Sequence, residues 1–185
     1  MKWELRTQLK SLHHQFGHTM IYVTHDQTEA LTFADKVAVM YDGRVVQMGT
    51  PQQLFETPEH TFVGYFIGSP GMNVLEATVT GDRAVVGGTE IPLGQSFGTP
   101  AGKVELGVRP EFASLQSGKK GLPVTIKRIE DVGRHKIVRT DFQGTEINII
   151  APEGAEILPD MNRVVFDTAG VNIYSDSWRV APEVV

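Results

Sequence analysis

The sequence predicts two units of different fold class, an α/β segment over residues 1–70 and an all-β barrel over residues 71–185. In the first segment, apolar residues at helical spacing alternate with short apolar runs typical of strands. This pattern ends at Ser69-Pro70-Gly71, and Pro and Gly clusters of this kind mark domain boundaries. Short β-like runs separated by glycines follow, and many short strands without intervening helices indicate a barrel or a sandwich.

The first predicted element is an amphipathic helix. Leu5, Leu9, Leu12 and Phe16 recur at helical spacing, and Gly17 is suited to the C-cap that follows them. An apolar stripe on one helix face requires a partner surface. We therefore expect this helix to pack against a sheet.

A strand, a turn and a second helix are predicted next. Residues 20–23, M-I-Y-V, form an unbroken apolar run, which favours a parallel strand covered on both faces. Asp26 followed three residues later by Glu29 has the pattern of a capping box, and the helix it opens should continue through Ala34. His25 would then lie at the carboxyl end of the strand, just before the helix. Ligand crevices of open α/β sheets form at that place.

A hairpin and two short helices complete the first segment. Asp42-Gly43 is a strong two-residue hairpin signal between the apolar runs 37–40 and 45–48. Residues 50–53, T-P-Q-Q, combine an N-cap, Pro at the first helical position and Gln three residues after the Thr, which predicts a capped helix. Thr57-Pro58 repeats that start and predicts one more helix.

The second segment is predicted to form a series of short strands. Val124 and Ile126, and likewise Ile147 and Ile149, show the alternation of strands with one buried face. Closure into a small barrel would leave few exposed strand edges. The predicted strands are residues 74–80, 84–87, 104–108, 122–129, 137–142, 147–150, 164–167 and 171–174.

Composition excludes several classes of function. The chain has no cysteine, which excludes disulfides, zinc-thiolate sites and a thiol nucleophile. No apolar run approaches the roughly 20 residues that cross a bilayer. The net charge of -5 argues against broad attraction to nucleic acid.

One region of the predicted barrel is locally basic. Binding of single-stranded nucleic acid there would require aromatic side chains along the same groove, and Phe142 is the only aromatic residue nearby. We therefore expect a solvated basic face and no nucleic-acid partner. The basic residues are Lys119, Lys120, Lys127, Arg128, Arg134, Lys136 and Arg139.

Residues 22–55 carry a family resemblance. They begin Y-V-T-H-D-Q-T-E-A-L and end V-V-Q-M-G-T-P-Q-Q-L-F, and they resemble the switch-histidine segment of ATP-binding-cassette (ABC) ATPases. The resemblance is closest to the importers of maltose, other sugars and glycerol phosphate. It implies that the first segment is a remnant of a P-loop NTPase domain. It also implies that His25 contacts the nucleotide γ-phosphate and helps to position the attacking water, in both a catalytic and a cofactor-binding role.

Two further motifs resemble the transport-associated OB (TOBE-like) domain of the same importers. They are F-I-G-S-P-G-M-N-V at residues 66–74 and L-G-V-R-P-E at residues 106–111. The resemblance implies an OB-like barrel that makes subunit contacts and can receive regulatory proteins. Arg109-Pro110-Glu111 could be read as a catalytic pair, but we favour a structural role in which Arg109 and Glu111 hold the following turn or a subunit contact. Trp178 either anchors an interface or packs the C-terminal tail onto the barrel.

Several nucleotide-binding motifs are absent from the sequence. No G-x-x-x-x-G-K-[ST] loop occurs, and the family's signature loop and acidic magnesium-binding strand are missing too. The resemblance implies that these lie before residue 1 in a complete ATP-binding subunit, of which this chain is the C-terminal half. ATP and Mg²⁺ are therefore expected in the complete protein, and this chain alone should bind neither nucleotide nor metal and should be inactive.

The resemblance also implies partners and a location. They are a second copy of the subunit, transmembrane permease subunits and a regulatory protein, on the cytoplasmic face of the cell membrane. Two alternatives remain open from the sequence. One is a regulatory and dimerisation module that never binds nucleotide, and the other is a barrel that binds a small anion.

Overall fold

A computed structural model describes residues 2–183. The helices are α1 Lys2–Phe16, α2 Gln27–Phe33, α3 Pro51–Glu56 and α4 Thr61–Phe66. The strands are β1 Val37–Tyr41, β2 Arg44–Gly49, β3 Asn73–Glu76, β4 Thr78–Thr80, β5 Arg83–Val86, β6 Thr89–Pro92, β7 Val104–Val108, β8 Ala113–Gln116, β9 Leu122–Pro123, β10 Thr125–Asp131, β11 His135–Phe142, β12 Thr145–Pro152, β13 Arg163–Phe166, β14 Val171–Ser175 and β15 Trp178–Arg179.

The strands of the described residues form five small antiparallel sheets. β1 and β2 make a hairpin, and the four other sheets lie beyond residue 72. Their strand orders are β15-β14-β7-β3, β4-β5-β6, β8-β13-β9 and β10-β11-β12. The described part of the chain is thus mostly β, with its α-helices before residue 67, as the sequence predicts.

Two hydrophobic clusters stabilise the chain. The smaller one joins the β1–β2 hairpin to α3 and α4 and contains Val39, Val46, Leu54, Val63 and Ile67. The larger one fills the β region from Leu75 to Ile173, and its fully buried members are Ala84, Leu106, Val108, Leu122, Val138, Ile147 and Ile173. Burial of such side chains contributes about 1.5–3 kcal/mol each, so the larger cluster dominates stability.

The predicted buried strand at residues 20–23 is wrong. This segment has no regular structure, and Ile21 and Val23 are 90% and 85% exposed. A parallel strand needs a neighbour on each side, but β1 and β2 pair with each other, and no described strand lies beside residues 20–23.

The predicted first helix forms, but its apolar face is not covered. Gly17 is the C-cap, with φ 64° and its N–H donating to the His13 carbonyl at 2.8 Å. Leu5, Leu12 and Phe16 are all about half exposed. None of the described helices combines the length and apolarity needed to cross a membrane.

The helix starts are partly as predicted. Thr50 and Gln53 form the reciprocal capping box of α3, and Asp42-Gly43 makes the tight turn of the hairpin with positive φ at both residues. Thr57 does not open α4, because its N–H and hydroxyl bond to the Gln53 carbonyl and close α3 instead. His60 is the N-cap of α4.

Beyond residue 72 the predicted runs form strands with different bounds. Residues 74–80 divide into β3 and β4, and residues 122–129 divide into β9 and β10. The second division has a clear cause, since the Val124 N–H leaves the ladder and donates to the Asn162 carbonyl at 2.9 Å. β6, β8 and β15 were not predicted, because each has only two to four residues and little apolar alternation.

Candidate functional site

His25 lies in an exposed bend directly before α2. The bend is shaped by its neighbours. The Asp26 carboxylate accepts from the Glu29 N–H at 3.0 Å, and the Asp26 N–H donates to the Thr24 hydroxyl oxygen at 3.0 Å. The described residues offer the His25 imidazole no hydrogen-bond partner, so the ring is free to meet a group outside this chain.

Glu29 supports the bend from inside. Instead of returning to the Asp26 N–H as in a complete capping box, its carboxylate accepts from the hydroxyls of Thr24 at 2.9 Å and Tyr22 at 3.2 Å. Glu29 is consequently buried, with 6% of its surface exposed. A carboxylate at the first turn of a helix is favoured by the helix dipole. Sequence reasoning identified the Asp26 cap but not this arrangement.

The residues around His25 do not by themselves fit a nucleotide. A triphosphate is polyanionic and needs several N–H donors or cations, whereas His25 stands beside the Asp26 carboxylate. The helix that follows has only seven residues. In the described part of the chain, no three His, Cys, Asp or Glu side chains come together as a metal site. We therefore derive no catalytic step from this chain alone.

α2 is tied to the end of α4. The Gln27 side-chain oxygen accepts from the Gly68 N–H at 3.2 Å, across 41 residues of sequence. A displacement of the His25 bend would therefore act on the segment that leads into β3.

Arg109 joins the helices to the β region. Its guanidinium donates to the carbonyls of Phe55 and Gly64, both at 2.9 Å, to that of Leu54 at 3.3 Å, and to that of Ile67. The guanidinium carbon also lies 4.3 Å from the centre of the Phe55 ring. These carbonyls belong to the C-terminal ends of α3 and α4, where positive charge is stabilised by the helix dipoles.

Burial changes the pKa of Arg109. The residue is 3% exposed, and burial lowers the pKa of its guanidinium to about 10, with Glu111 and Tyr174 opposing the shift. Arg109 is therefore still a cation at neutral pH. The sequence predicts a structural role in which Arg109 and Glu111 hold the following turn or a subunit contact. Arg109 instead bonds backward in sequence, to α3 and α4, and Glu111 is exposed.

Two further buried residues make long-range bonds, Tyr174 to the helical segment and Asn73 between β3 and β12. The Tyr174 hydroxyl donates to the Pro58 carbonyl at 2.9 Å, and burial raises the pKa of its phenol. Asn73 uses its whole amide, since Nδ2 donates to the Asn148 carbonyl at 2.9 Å and Oδ1 accepts from the Asn148 N–H at 2.8 Å. No local sequence pattern could have identified these pairs, because their members lie 75 or more residues apart.

An aromatic surface lies beside this junction. Tyr41 packs 4.3 Å from Phe62, and the His60 ring meets Trp178 edge-on at 4.9 Å, both distances between ring centres. Tyr41, His60, Phe62 and Tyr65 border a shallow groove of about 420 Å³. Trp178 is half exposed and its backbone bridges to His60, so both interpretations of Trp178 stay open.

The basic region is partly neutralised. Arg139 donates to Glu130 at 2.9 Å and to Glu146 at 3.0 Å, and Arg128 lies 3.3 Å from Glu130. The Lys136 ammonium donates to the Ala155 carbonyl at 2.8 Å. These contacts agree with a solvated, salt-bridged face.

Comparison with known proteins places these features in a family. Residues 68–112 match the MalK OB fold domain. The resemblance to ABC importer ATP-binding proteins that the sequence suggests is confirmed, and the similarity covers the C-terminal portion of such proteins.

Three curated relatives illustrate the similarity. The uncharacterized ABC transporter ATP-binding protein y4oS of Sinorhizobium fredii is 37% identical, over 86% of this chain and 44% of the relative. The sulfoquinovosyl glycerol transport ATP-binding protein SmoE of Agrobacterium fabrum is 33% identical, over 94% and 51%. The sn-glycerol-3-phosphate import ATP-binding protein UgpC of Salmonella typhi is 41% identical, over 72% and 39%. The chain thus spans about half the length of the relatives it matches.

Proposed function

We propose that this chain is the C-terminal part of an ATP-binding subunit that couples ATP hydrolysis to uptake of a sugar, a polyol or glycerol phosphate by an ABC importer. The observation that carries the proposal is the Arg109 junction. Arg109 belongs to the L-G-V-R-P-E motif of the barrel and bonds to α3 and α4, which follow the switch-histidine segment. Movement in the helical segment would therefore be transmitted to the barrel.

The proposal divides the chain into residues 1–70, the C-terminal part of the nucleotide-binding domain, and residues 71–185, an OB-like regulatory and dimerisation barrel. The two hydrophobic clusters support this division. The smaller one ends at Ile67, and the larger one begins at Leu75.

In the complete protein, we assign His25 to the γ-phosphate of ATP, as the family resemblance implies. The exposed bend and the unpartnered imidazole support this assignment. The bound Mg²⁺-ATP would supply the phosphoanhydride bond that is hydrolysed. His25 would orient water at that bond, while Thr24, Asp26 and Glu29 hold the bend in place.

The proposed partners are a second copy of the subunit, the transmembrane permease subunits and a regulatory protein. Attachment to the permease would place the protein on the cytoplasmic face of the membrane. The names of the relatives, which describe transport or import ATP-binding proteins, support this assignment.

The proposal is tested by replacing His25 with Ala in the complete protein, assembled with its permease. Contacts that strengthen in the transition state act on the rate constant more than on substrate binding, so turnover should fall by a factor on the order of 100 while the Kd for ATP stays nearly constant. The control is His18→Ala, which removes an exposed imidazole seven positions earlier. Near-normal ATPase activity of the His25→Ala protein would contradict the assignment.

A further inference from the structure

β10 is an exposed sheet edge. Among the described residues, β11 is the only strand hydrogen-bonded to it. Five of its seven residues are exposed, and Ile129, in the second half of the strand, has 45% of its surface accessible. Edge strands with unpaired N–H and C=O groups are templates for pairing with another chain.

The charges of β10 are arranged by sign along the strand. Lys127 and Arg128 precede Ile129, and Glu130 and Asp131 follow it. A strand with this order is complementary to an antiparallel copy of itself. Opposite charges on directly opposed residues stabilise a strand pair, and like charges destabilise it.

Symmetry restricts the register. A two-fold axis perpendicular to an antiparallel pair passes between two directly opposed residues, so one residue must face its own mate. Centring on Arg128 would oppose two guanidinium groups, and centring on Glu130 would oppose two carboxylates. Centring on Ile129 places Ile129 against Ile129, and Arg128 against Glu130 in both directions.

We propose that two copies of this chain pair antiparallel along their β10 edges, with Ile129 on the two-fold axis. The two β10-β11-β12 sheets would then form one six-stranded sheet. A bulge shifts the β10–β11 register between Ile126 and Arg128, which confines regular pairing about Ile129 to residues 128–130. This inference rests on the proposed function only in that the partner is the second copy named there.

A cysteine reporter tests the register, since the natural chain has no cysteine. Directly opposed Cα atoms of an antiparallel pair lie about 4.5–5.5 Å apart, within the range of a disulfide. Ile129→Cys should therefore form a disulfide-linked dimer of the 185-residue chain under mild oxidation. Val132→Cys is the matched control, because Val132 is similarly exposed, at 48%. In the proposed register its two copies lie about 20 Å apart.

A charge variant tests the pairing energy. Arg128 is exposed and forms one ion pair with Glu130 of its own strand, so Arg128→Glu should leave the fold intact. In the dimer the introduced carboxylate would face Glu130 of the other copy, twice by symmetry. The cross-linked fraction of the Ile129→Cys chain should then fall by about tenfold at low salt. Arg134→Glu changes the net charge equally in an exposed turn and should leave cross-linking unchanged.

The outcomes separate this inference from the proposed function. Equal cross-linking of the Ile129→Cys and Val132→Cys chains would overturn the register. Dimers seen by sedimentation, without a cross-link in the Ile129→Cys chain, would overturn the β10 interface and leave self-association intact. A strictly monomeric chain would overturn both the β10 interface and self-association. None of these results bears on the ATPase test of His25, which addresses the proposed function by itself.

Discussion

At the residue scale, Arg109 is a buried cation that bonds to two helices. Four backbone carbonyls and one aromatic ring surround its guanidinium. A cation buried in this way replaces its lost hydration with charge-assisted hydrogen bonds, each stronger than a neutral one. Removing the cation takes this donor from the Leu54, Phe55 and Ile67 carbonyls, whereas the Gly64 carbonyl still accepts from the Met72 N–H at 3.0 Å.

We predict that Arg109→Met lowers the free energy of unfolding by about 3 kcal/mol, because it leaves several buried acceptors unsatisfied. Arg109→Lys should recover less than half of this loss, since an ammonium cannot reproduce the planar fork of donors. Urea denaturation followed by circular dichroism gives the measurement. Arg83→Ala, which removes an exposed ion pair with Glu90, should change stability by no more than about 0.5 kcal/mol. An Arg109→Met protein as stable as the Arg83→Ala protein would contradict the role assigned to Arg109.

His60 makes the stability of the fold depend on pH. Its Nδ1 accepts from the Phe62 N–H at 3.0 Å, which requires the ring to be unprotonated at that nitrogen. Burial lowers the pKa of His60, with Glu105 opposing the shift. The folded state therefore binds fewer protons than the unfolded state just below the ordinary pKa of about 6.5. Stability contributed by this group is present above that pH and is lost as the pH falls.

We predict that His60→Asn, which keeps an N-cap without a titratable ring, reduces the loss of Tm between about pH 7.5 and about pH 5. Thermal melts of both proteins at the two pH values measure the difference. His14→Asn, in the exposed last turn of α1, serves as the control and should melt like the unsubstituted protein. An unchanged acid loss in His60→Asn would contradict a titrating cap.

At the element scale, local chemistry made some elements predictable. Asp42-Gly43 and Thr50-Pro51 act within four residues, so the hairpin and α3 appear where the sequence indicates them. The prediction fails at residues 20–23, which have no neighbouring strand among the described residues, and at Thr57, which closes α3 instead of opening α4. His25 was identified from its neighbours, whereas the contacts of Arg109 reach back 42 to 55 residues and leave no local signal.

The single contact that His25 can offer leads to a prediction about ATP binding. His25 supplies one exposed contact, and a neutral hydrogen bond contributes about 0.5–1.5 kcal/mol, whereas micromolar binding needs about 8 kcal/mol. Titration calorimetry of this chain with Mg²⁺-ATP should therefore show no micromolar site. A complete subunit of the same family, titrated in parallel, is the positive control. A micromolar Kd for this chain would show that its own residues form a nucleotide site.

At the scale of the whole molecule, the two hydrophobic clusters differ in what surrounds them. The barrel cluster is enclosed by strands that bond to one another. Before the smaller cluster in the sequence, residues 20–23 are exposed and the apolar face of α1 is half exposed. Local opening should therefore begin near the N-terminal end of the described residues.

We predict that limited proteolysis cuts first between Phe16 and Val23, where the chain has no regular structure and its side chains are exposed. A resistant fragment containing the barrel should remain, and we expect it to fold independently. Mass spectrometry of the fragments identifies the cut. A resistant N-terminal fragment with a degraded barrel would contradict both the domain division and this order of opening.

The contacts of residues 174–179 have a consequence for synthesis. The Tyr174 hydroxyl bonds to the Pro58 carbonyl, the Thr61 N–H donates to the Ser177 carbonyl, and the Arg179 N–H donates to the Glu59 carbonyl. Residues 58–61, which lead into α4, are thus completed by residues that leave the ribosome more than 100 positions later. At about 5–20 residues per second, the segment before α4 waits several seconds with these groups unpaired. Pairing of residues 58–61 with residues 174–179 is therefore a late step in folding of the nascent chain.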